Sequence, residues 1–122
     1  MAKRILVVDD EEDIAHMCAE ALAEAGYEVQ SARNGFHAQA LIDSVMFDAA
    51  VLDVSVPGAT GLELAARLKS QSSNIPIVVI TGYASVDPAA ARKIGARAFL
   101  AKPFTTKKLV QIINTCFTPF SP

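Results

Sequence analysis

Cysteine is scarce in this sequence. Only two of the 122 residues are cysteines, Cys18 and Cys116, and they form no metal-binding or redox motif. Both fall on the apolar face of a predicted helix, where a cysteine packs as a small hydrophobic residue. Buried, reduced thiols are typical of cytoplasmic proteins. The cysteines therefore predict a cytoplasmic protein without a thiolate metal site.

A strong positive charge and a long apolar segment are also missing. The formal net charge is -2, so no global basic field favours nucleic acid. No apolar run approaches the roughly 18 residues of a membrane span. The first residues, 1–5, enter a strand-like run and do not resemble a signal peptide. We therefore expect no direct contact with nucleic acid or membrane.

Motifs for nucleotide binding and for histidine-based metal binding are absent as well. Neither a glycine-rich dinucleotide turn nor a P-loop follows the first apolar run. The two histidines, His16 and His37, lack the spacing of metal ligands and are expected at surface or half-buried helix positions. These absences exclude the common nucleotide-binding and zinc-dependent classes.

Short apolar runs, separated by helical patterns, dominate what is present. The predicted strands are Arg4–Val8, Tyr27–Ala32, Phe47–Asp53, Ile75–Thr81 and Arg97–Ala101. Helical spacing of apolar residues follows each run, which indicates five helices, the fourth beginning at Asp87-Pro88 and ending at Gly95. With 52% hydrophobic and 20% charged residues, the chain is expected to form one domain, 1–122, with 117–122 as a short C-terminal tail.

The helical patterns predict which side chains face the core. The expected inner positions are Ile14, Met17, Cys18, Ala21, Leu22 and Ala25 in the first helix; Ala38, Leu41, Ile42 and Val45 in the second; Leu62, Ala65, Ala66 and Leu68 in the third; and Leu109, Ile112, Ile113 and Cys116 in the last. Gly26 is the expected left-handed cap of the first helix, and Thr105 or Thr106 can cap the last.

Alternation of strands and helices predicts the fold. Consecutive βα units require a parallel sheet with right-handed crossovers and helices on both faces. For five units, the doubly wound, flavodoxin-like order 2-1-3-4-5 is the common solution, with a crevice between strands one and three. The expected class is therefore α/β.

Four of the predicted strands end on polar residues, namely Asp9-Asp10, Asp53, Thr81 and Lys102. Parallel strands bring these ends to one edge of the sheet, so three carboxylates come close together. A divalent cation would relieve their repulsion, and oxygen-only ligands favour Mg²⁺, with Mn²⁺ as the alternative. A carboxylate can act as a nucleophile that forms an acyl phosphate, while Lys102 and the Thr81 hydroxyl contact the transferring oxygens.

The same residues carry a family resemblance. The set Asp9-Asp10, Asp53 with Pro57 and Gly61 beyond it, Thr81-Gly82 and Lys102-Pro103-Phe104 resembles the receiver domain of bacterial two-component response regulators, over essentially the entire chain. The resemblance implies that Asp53 accepts a phosphoryl group from a histidine kinase or histidine phosphotransfer protein. It implies a signalling domain that catalyses only its own Mg²⁺-dependent phosphorylation and dephosphorylation, and it leaves open a homodimer that forms on phosphorylation.

Residue roles follow from the resemblance. Asp10 would bind Mg²⁺ directly and Asp9 through water, with Asp53 and the backbone carbonyl of Ser55 completing the protein ligands. The Lys102–Pro103 peptide bond would be cis.

A conformational switch is implied as well. Thr81 and the aromatic residue Phe99 would move together on phosphorylation and change a surface formed by the fourth helix, the fifth strand and the fifth helix. Phe99 departs from the commoner tyrosine, so no phenolic hydrogen bond can report the state. Ser55, Gly82 and Tyr83 would control access to the phosphoryl group.

Each residue also has a simpler interpretation when taken alone. The acidic run 9–13 could do no more than complement a helix dipole, Asp53 could be a turn residue, and Phe99 could belong to the core.

A haloacid dehalogenase-like phosphatase is disfavoured because Asp53-Val54-Ser55 lacks the second acid of that class and the chain has no room for a cap domain. The intact acids disfavour a non-phosphorylated pseudo-receiver. The chain could be a stand-alone regulator, or part of a hybrid sensor kinase or a larger transcriptional regulator.

Overall fold

Five short strands pair side by side in one parallel sheet. The computed structural model describes residues 2–53, 61–82 and 95–117, with the backbone alone at 62 and 81. The strands are β1 (Arg4–Val8), β2 (Glu28–Ala32), β3 (Ala49–Asp53), β4 (Ile77–Thr81) and β5 (Ala98–Ala101). The sheet order is β2-β1-β3-β4-β5, which confirms the predicted doubly wound topology.

The helices described in the structure are α1 (Glu12–Glu24), α2 (Gly35–Ser44), α3 (Gly61–Gln71) and the C-terminal helix (Thr106–Phe117). The predicted fourth helix, 87–95, lies almost entirely outside the described residues. The C-terminal helix ends at Phe117, the first residue of the predicted tail, and the rest of that tail also lies outside them.

Alternate residues of the central strands face opposite layers. Leu6, Val8, Ala50, Leu52, Ile77 and Val79 form one buried cluster with residues of α2 and α3. Ile5, Val7, Ala49, Val51, Val78 and Ile80 form the other with residues of α1 and the C-terminal helix. Because both faces are covered, the runs in β1, β3 and β4 need no polar alternation.

Four strands begin later than the sequence predicts, β2 and β5 by one residue and β3 and β4 by two. β3 starts at Ala49 and not at Phe47, and β4 starts at Ile77 and not at Ile75. Phe47 and Ile75 remain buried, so the apolar signal was correct for burial. Pro76 explains the later start of β4, since it has no N–H for the ladder, although its carbonyl oxygen accepts the Ala50 N–H at 3.1 Å.

Some predicted inner positions are wrong. Met17 is 38% exposed, and Ala25 and Ala66 are exposed, whereas Ala15 and Leu64 are buried. In α3, the buried residues Leu64, Ala65 and Leu68 lie on one stripe. Ala66 lies about 100° further around the helix axis than Ala65 and is therefore outside this stripe. Apolar spacing located the four described helices correctly but misassigned some of the residues on their buried faces.

Local capping follows the sequence signals. Asn34 Oδ1 accepts the His37 N–H at 2.8 Å at the start of α2. Gly26 follows α1 with a φ of 101°, which glycine adopts readily. At the C-terminal helix, Thr105 is the cap, since its Oγ1 accepts the Lys108 N–H at 3.1 Å. His16 and His37 are exposed, as expected.

Candidate phosphoryl-transfer and metal site

Two buried carboxylates lie side by side at the carboxyl end of the sheet. Asp9 immediately follows β1 and is 0% exposed, while Asp53 is the last residue of β3 and is 1% exposed. β1 and β3 are neighbours, with Val8 opposite Leu52. The strand register therefore brings these acids together, as the sequence predicts.

The turn after β1 fixes Asp9. Its N–H donates to the Ala32 carbonyl at 3.1 Å and thus continues the pairing with β2. Its Oδ1 accepts the Glu11 N–H at 2.9 Å, which turns the chain into α1. Asp9 is therefore held from both its backbone and its side chain.

Lys102 brings a positive charge to these carboxylates. It follows β5, its side chain is 8% exposed, and its Nζ lies 2.9 Å from Asp53 Oδ2. The same Nζ lies 3.2 Å from Asp9 Oδ2 and donates to Asp9 Oδ1 at 3.4 Å. The Lys102–Pro103 peptide bond is cis.

Burial and crowding of charge change the ionisation of this site. Burial, reinforced by the charge of Asp53, raises the pKa of Asp9 above 3.8, although the Glu11 N–H and Lys102 oppose the shift. Burial lowers the pKa of Lys102, but its bonds to Glu11, Asp53 and Asp9 outweigh burial and raise it overall. Lys102 is therefore a permanent cation at physiological pH.

Asp9, Asp10 and Asp53 can together hold a metal ion. Each offers one carboxylate oxygen, and these oxygens all lie within 4.8 Å of one another. Asp9 Oδ2 is buried and has no hydrogen-bond partner of suitable geometry in the described part of the chain, although Lys102 Nζ is near. Asp10, the third member of this group, is exposed to solvent. An orphaned buried oxygen within an all-oxygen donor set fits Mg²⁺.

The structure describes part of the predicted phosphoryl-contacting set. Thr81 ends β4 opposite Ala101, which places its backbone at the same sheet edge. A Cβ built at Gly82 would meet no described atom within 4 Å, so the space beside this residue is open. Ser55, Pro57, Gly58 and Tyr83 lie outside the described residues, and their roles stay predictions.

Phe99 is not a core residue. Its ring lies on β5 and is 48% exposed. β5 is an edge strand whose burial alternates, and Leu100 points into the core while Phe99 and Ala101 do not. The alternative that Phe99 simply fills the core is therefore wrong.

The contact between Glu11 and Lys102 was not predicted from the sequence. Glu11 Oε1 lies 2.7 Å from Lys102 Nζ, closer than either aspartate. Glu11 belongs to the acidic run after β1, and its position next to Asp9-Asp10 was the available signal. That signal is weak because acids are common in the first turn of any helix.

Known proteins share the fold of this chain. A family model described as the response regulator receiver domain matches residues 5–114. The chain belongs to this family. It is therefore a receiver domain, a signalling domain of two-component systems.

Individual relatives show the extent of the similarity. The transcriptional regulatory protein TcrA of Mycobacterium tuberculosis is 41% identical over 107 residues, which are 87% of this chain and 42% of TcrA. A CheY-like receiver domain protein from Methanospirillum hungatei superposes with a TM-score of 0.85 at 30% identity, over 94% of this chain and 93% of that one. CheY4 of Vibrio cholerae gives 0.83 at 30% identity, over 96% and 100%.

The relatives differ in length. The chain spans about half the length of the curated relatives it matches. It spans nearly all of the two CheY-like structures. In the described ranges, no helix is long and apolar enough to cross a membrane.

Proposed function

We propose that Asp53 accepts a phosphoryl group, in a Mg²⁺-dependent reaction, from a histidine kinase or a histidine phosphotransfer protein. The observation that carries this proposal is the pairing of buried Asp53 with Lys102, 2.9 Å apart, beside the carboxylates of Asp9 and Asp10. A buried carboxylate beside a lysine ammonium group is a suitable nucleophile for phosphorus.

The chemistry divides among named residues. A carboxylate oxygen of Asp53 attacks phosphorus, the bond from phosphorus to the donor nitrogen breaks, and its electron pair leaves with the imidazole. Lys102 compensates the negative charge on the phosphoryl oxygens. Mg²⁺, when held by Asp9, Asp10, Asp53 and the Ser55 carbonyl, supplies further positive charge there. By the family resemblance, the hydroxyl group of Thr81 would contact the phosphoryl oxygens.

Output is part of the same proposal. Phosphorylation would shift Thr81 and Phe99 together and alter the surface of the predicted fourth helix, β5 and the C-terminal helix, with homodimer formation as one result. The 48% exposure of Phe99 supports this, because the ring has an outward position from which to move. Gly82 leaves the approach open, and Ser55 and Tyr83 would tune it.

Two contexts are compatible with this chemistry. The chain would act as a stand-alone regulator through protein contacts, or as the receiver of a larger transcriptional regulator or hybrid sensor kinase. The curated relatives, about twice as long, favour a transcriptional regulator among the longer proteins. A cytoplasmic location belongs to the proposal and is supported by the two free cysteines.

The test uses acetyl phosphate as a small phosphodonor, with Mg²⁺ or with EDTA, and intact-mass spectrometry as the measurement. The natural chain should gain one phosphoryl group with Mg²⁺ and none with EDTA. Asp53→Asn should gain none, because the nucleophile is gone. Asp48→Asn, an exposed acid just before the same strand, should label like the natural chain. Labelling that survives Asp53→Asn would disprove the site.

A further inference from the structure

We propose that Glu11 is a positioning residue that holds the Lys102 ammonium before phosphorylation and releases it to the incoming phosphoryl group. The proposal rests on the function proposed above and adds a regulator of its rate. Its basis is the shortest contact of Lys102, 2.7 Å from Nζ to Glu11 Oε1.

All donors of Lys102 are already engaged. An ammonium group has three N–H donors. They are directed to Glu11 at 2.7 Å, Asp53 at 2.9 Å and Asp9 at 3.4 Å. A phosphoryl group that approaches Asp53 brings new acceptor oxygens while all three carboxylates are still present, so Lys102 must give up one partner to contact them.

Glu11 is the partner that can be given up most easily. Until the phosphoryl group is transferred, Asp9 and Asp53 are carboxylates at strand ends and at most 1% exposed, so leaving either without its cation is costly. The Glu11 side chain is 58% exposed, and water can solvate its carboxylate after release. The exchange therefore trades an exposed ion pair for a contact with the phosphoryl group.

The backbone around Glu11 places it for this role. Its N–H donates to Asp9 Oδ1 at 2.9 Å, which fixes the Glu11 backbone beside Asp9. Glu11 occupies the N-cap position of α1 in an extended conformation, yet its side chain makes no capping hydrogen bond. The carboxylate extends to Lys102 instead of to the helix N–H groups.

The experiment measures the rate of acetyl phosphate labelling at Mg²⁺ concentrations that saturate each variant. Glu11→Gln should label about two- to fivefold faster, the range for losing one partly exposed ion pair. Glu11→Asp should also label faster, because a side chain one methylene shorter loses Lys102 and is well suited to cap α1. Asp13→Asn, which removes an exposed acid that is not among the partners of Lys102, should match the natural chain.

Each other outcome has a defined meaning. If neither Glu11 variant differs from Asp13→Asn, or if labelling slows, the inference is wrong while the role of Asp53 stands. If Glu11→Gln accelerates labelling but Glu11→Asp does not, the negative charge matters and the contact with Lys102 does not, which also overturns it. If the natural chain is not labelled on Asp53, the proposed function fails and the inference fails with it. Thermal unfolding confirms that each variant is folded, and a damaged fold would not produce a faster reaction.

Discussion

The two ends of the sheet use charge in opposite ways. At the amino end, Arg4 pairs with Glu28 at 3.2 Å, with side chains 40% and 58% exposed. The Arg4 N–H also donates to Asp48 Oδ2 at 2.8 Å. At the carboxyl end, Asp9 and Asp53 are almost completely buried and share Lys102. One end therefore has solvated acids and the other has two buried acids around one cation.

The difference shows where the fold retains an unfavourable arrangement. Water and local partners satisfy the exposed charges at the amino end, so they cost little. Burial raises the pKa of Asp9, and repulsion from the charge of Asp53 raises it further. Such an arrangement is more readily explained by binding a cation and a phosphoryl group than by stability.

Removing a metal ligand should have the largest effect on this contrast. We expect Asp10→Ala to weaken Mg²⁺ binding by more than about tenfold, since losing even an outer partner of a metal site typically costs that much. Isothermal titration calorimetry measures the affinity directly. Asp48→Ala removes an acid at the amino end and should leave the affinity unchanged. Equal affinities in all three proteins would mean that the acidic cluster is not a metal site.

Neutralising Asp9 should have a smaller effect, of opposite sign to most core mutations. In metal-free buffer, Asp9→Asn should raise the free energy of unfolding near neutral pH by about 1 kcal/mol, because a buried charge is removed while Lys102 keeps two partners. Denaturant titration with EDTA present measures this. A clear decrease in the free energy of unfolding would contradict the interpretation that the buried charge of Asp9 destabilises the metal-free fold.

The raised pKa of Asp9 also predicts how the free energy of unfolding depends on pH. The folded-state pKa of Asp9 lies above the value of 3.8 that applies to an unfolded chain. Between these values the folded protein binds the proton more tightly, so the contribution of Asp9 to stability falls as pH rises. Above the folded pKa the penalty is complete. Asp9→Asn should remove this pH-dependent contribution. Measuring the free energy of unfolding of the natural chain and of Asp9→Asn over a series of pH values would reveal the difference.

The smallest effect is expected at the amino end. Glu28→Gln breaks the exposed pair with Arg4 and should change the free energy of unfolding by less than about 0.5 kcal/mol. It should also leave acetyl phosphate labelling unchanged. A loss of stability comparable to that of a core mutation would show that the two ends do not differ as described.

Much of the fold could be read from the sequence, because burial on both faces leaves a direct trace. The unbroken apolar runs located β1, β3 and β4, and a polar residue after each run located Asp9, Asp53 and Thr81. Sheet order followed from the alternation of strands and helices together with the order that is common for five such units. These features depend on residues that are close in sequence or on rules of chain topology.

Features that depend on side-chain reach could not be read in this way. Glu11 and Lys102 are 91 positions apart, and their contact requires the direction of a side chain that no local pattern encodes. The phase errors at Met17 and Ala66 have a related cause, since small and flexible apolar residues fit the edge of a buried stripe as well as its centre. Phe99 was ambiguous because an edge strand buries only some of its apolar residues.

The most direct measurement of the central claim is to map the modified residue. Acyl phosphates are reduced by borohydride, which would convert a phosphorylated aspartate to homoserine. After acetyl phosphate and Mg²⁺ treatment, peptide mass spectrometry should find homoserine at position 53, and none should form when EDTA replaces Mg²⁺. Homoserine at Asp9 or Asp10 in place of Asp53, or labelling that does not require the metal, would contradict the account.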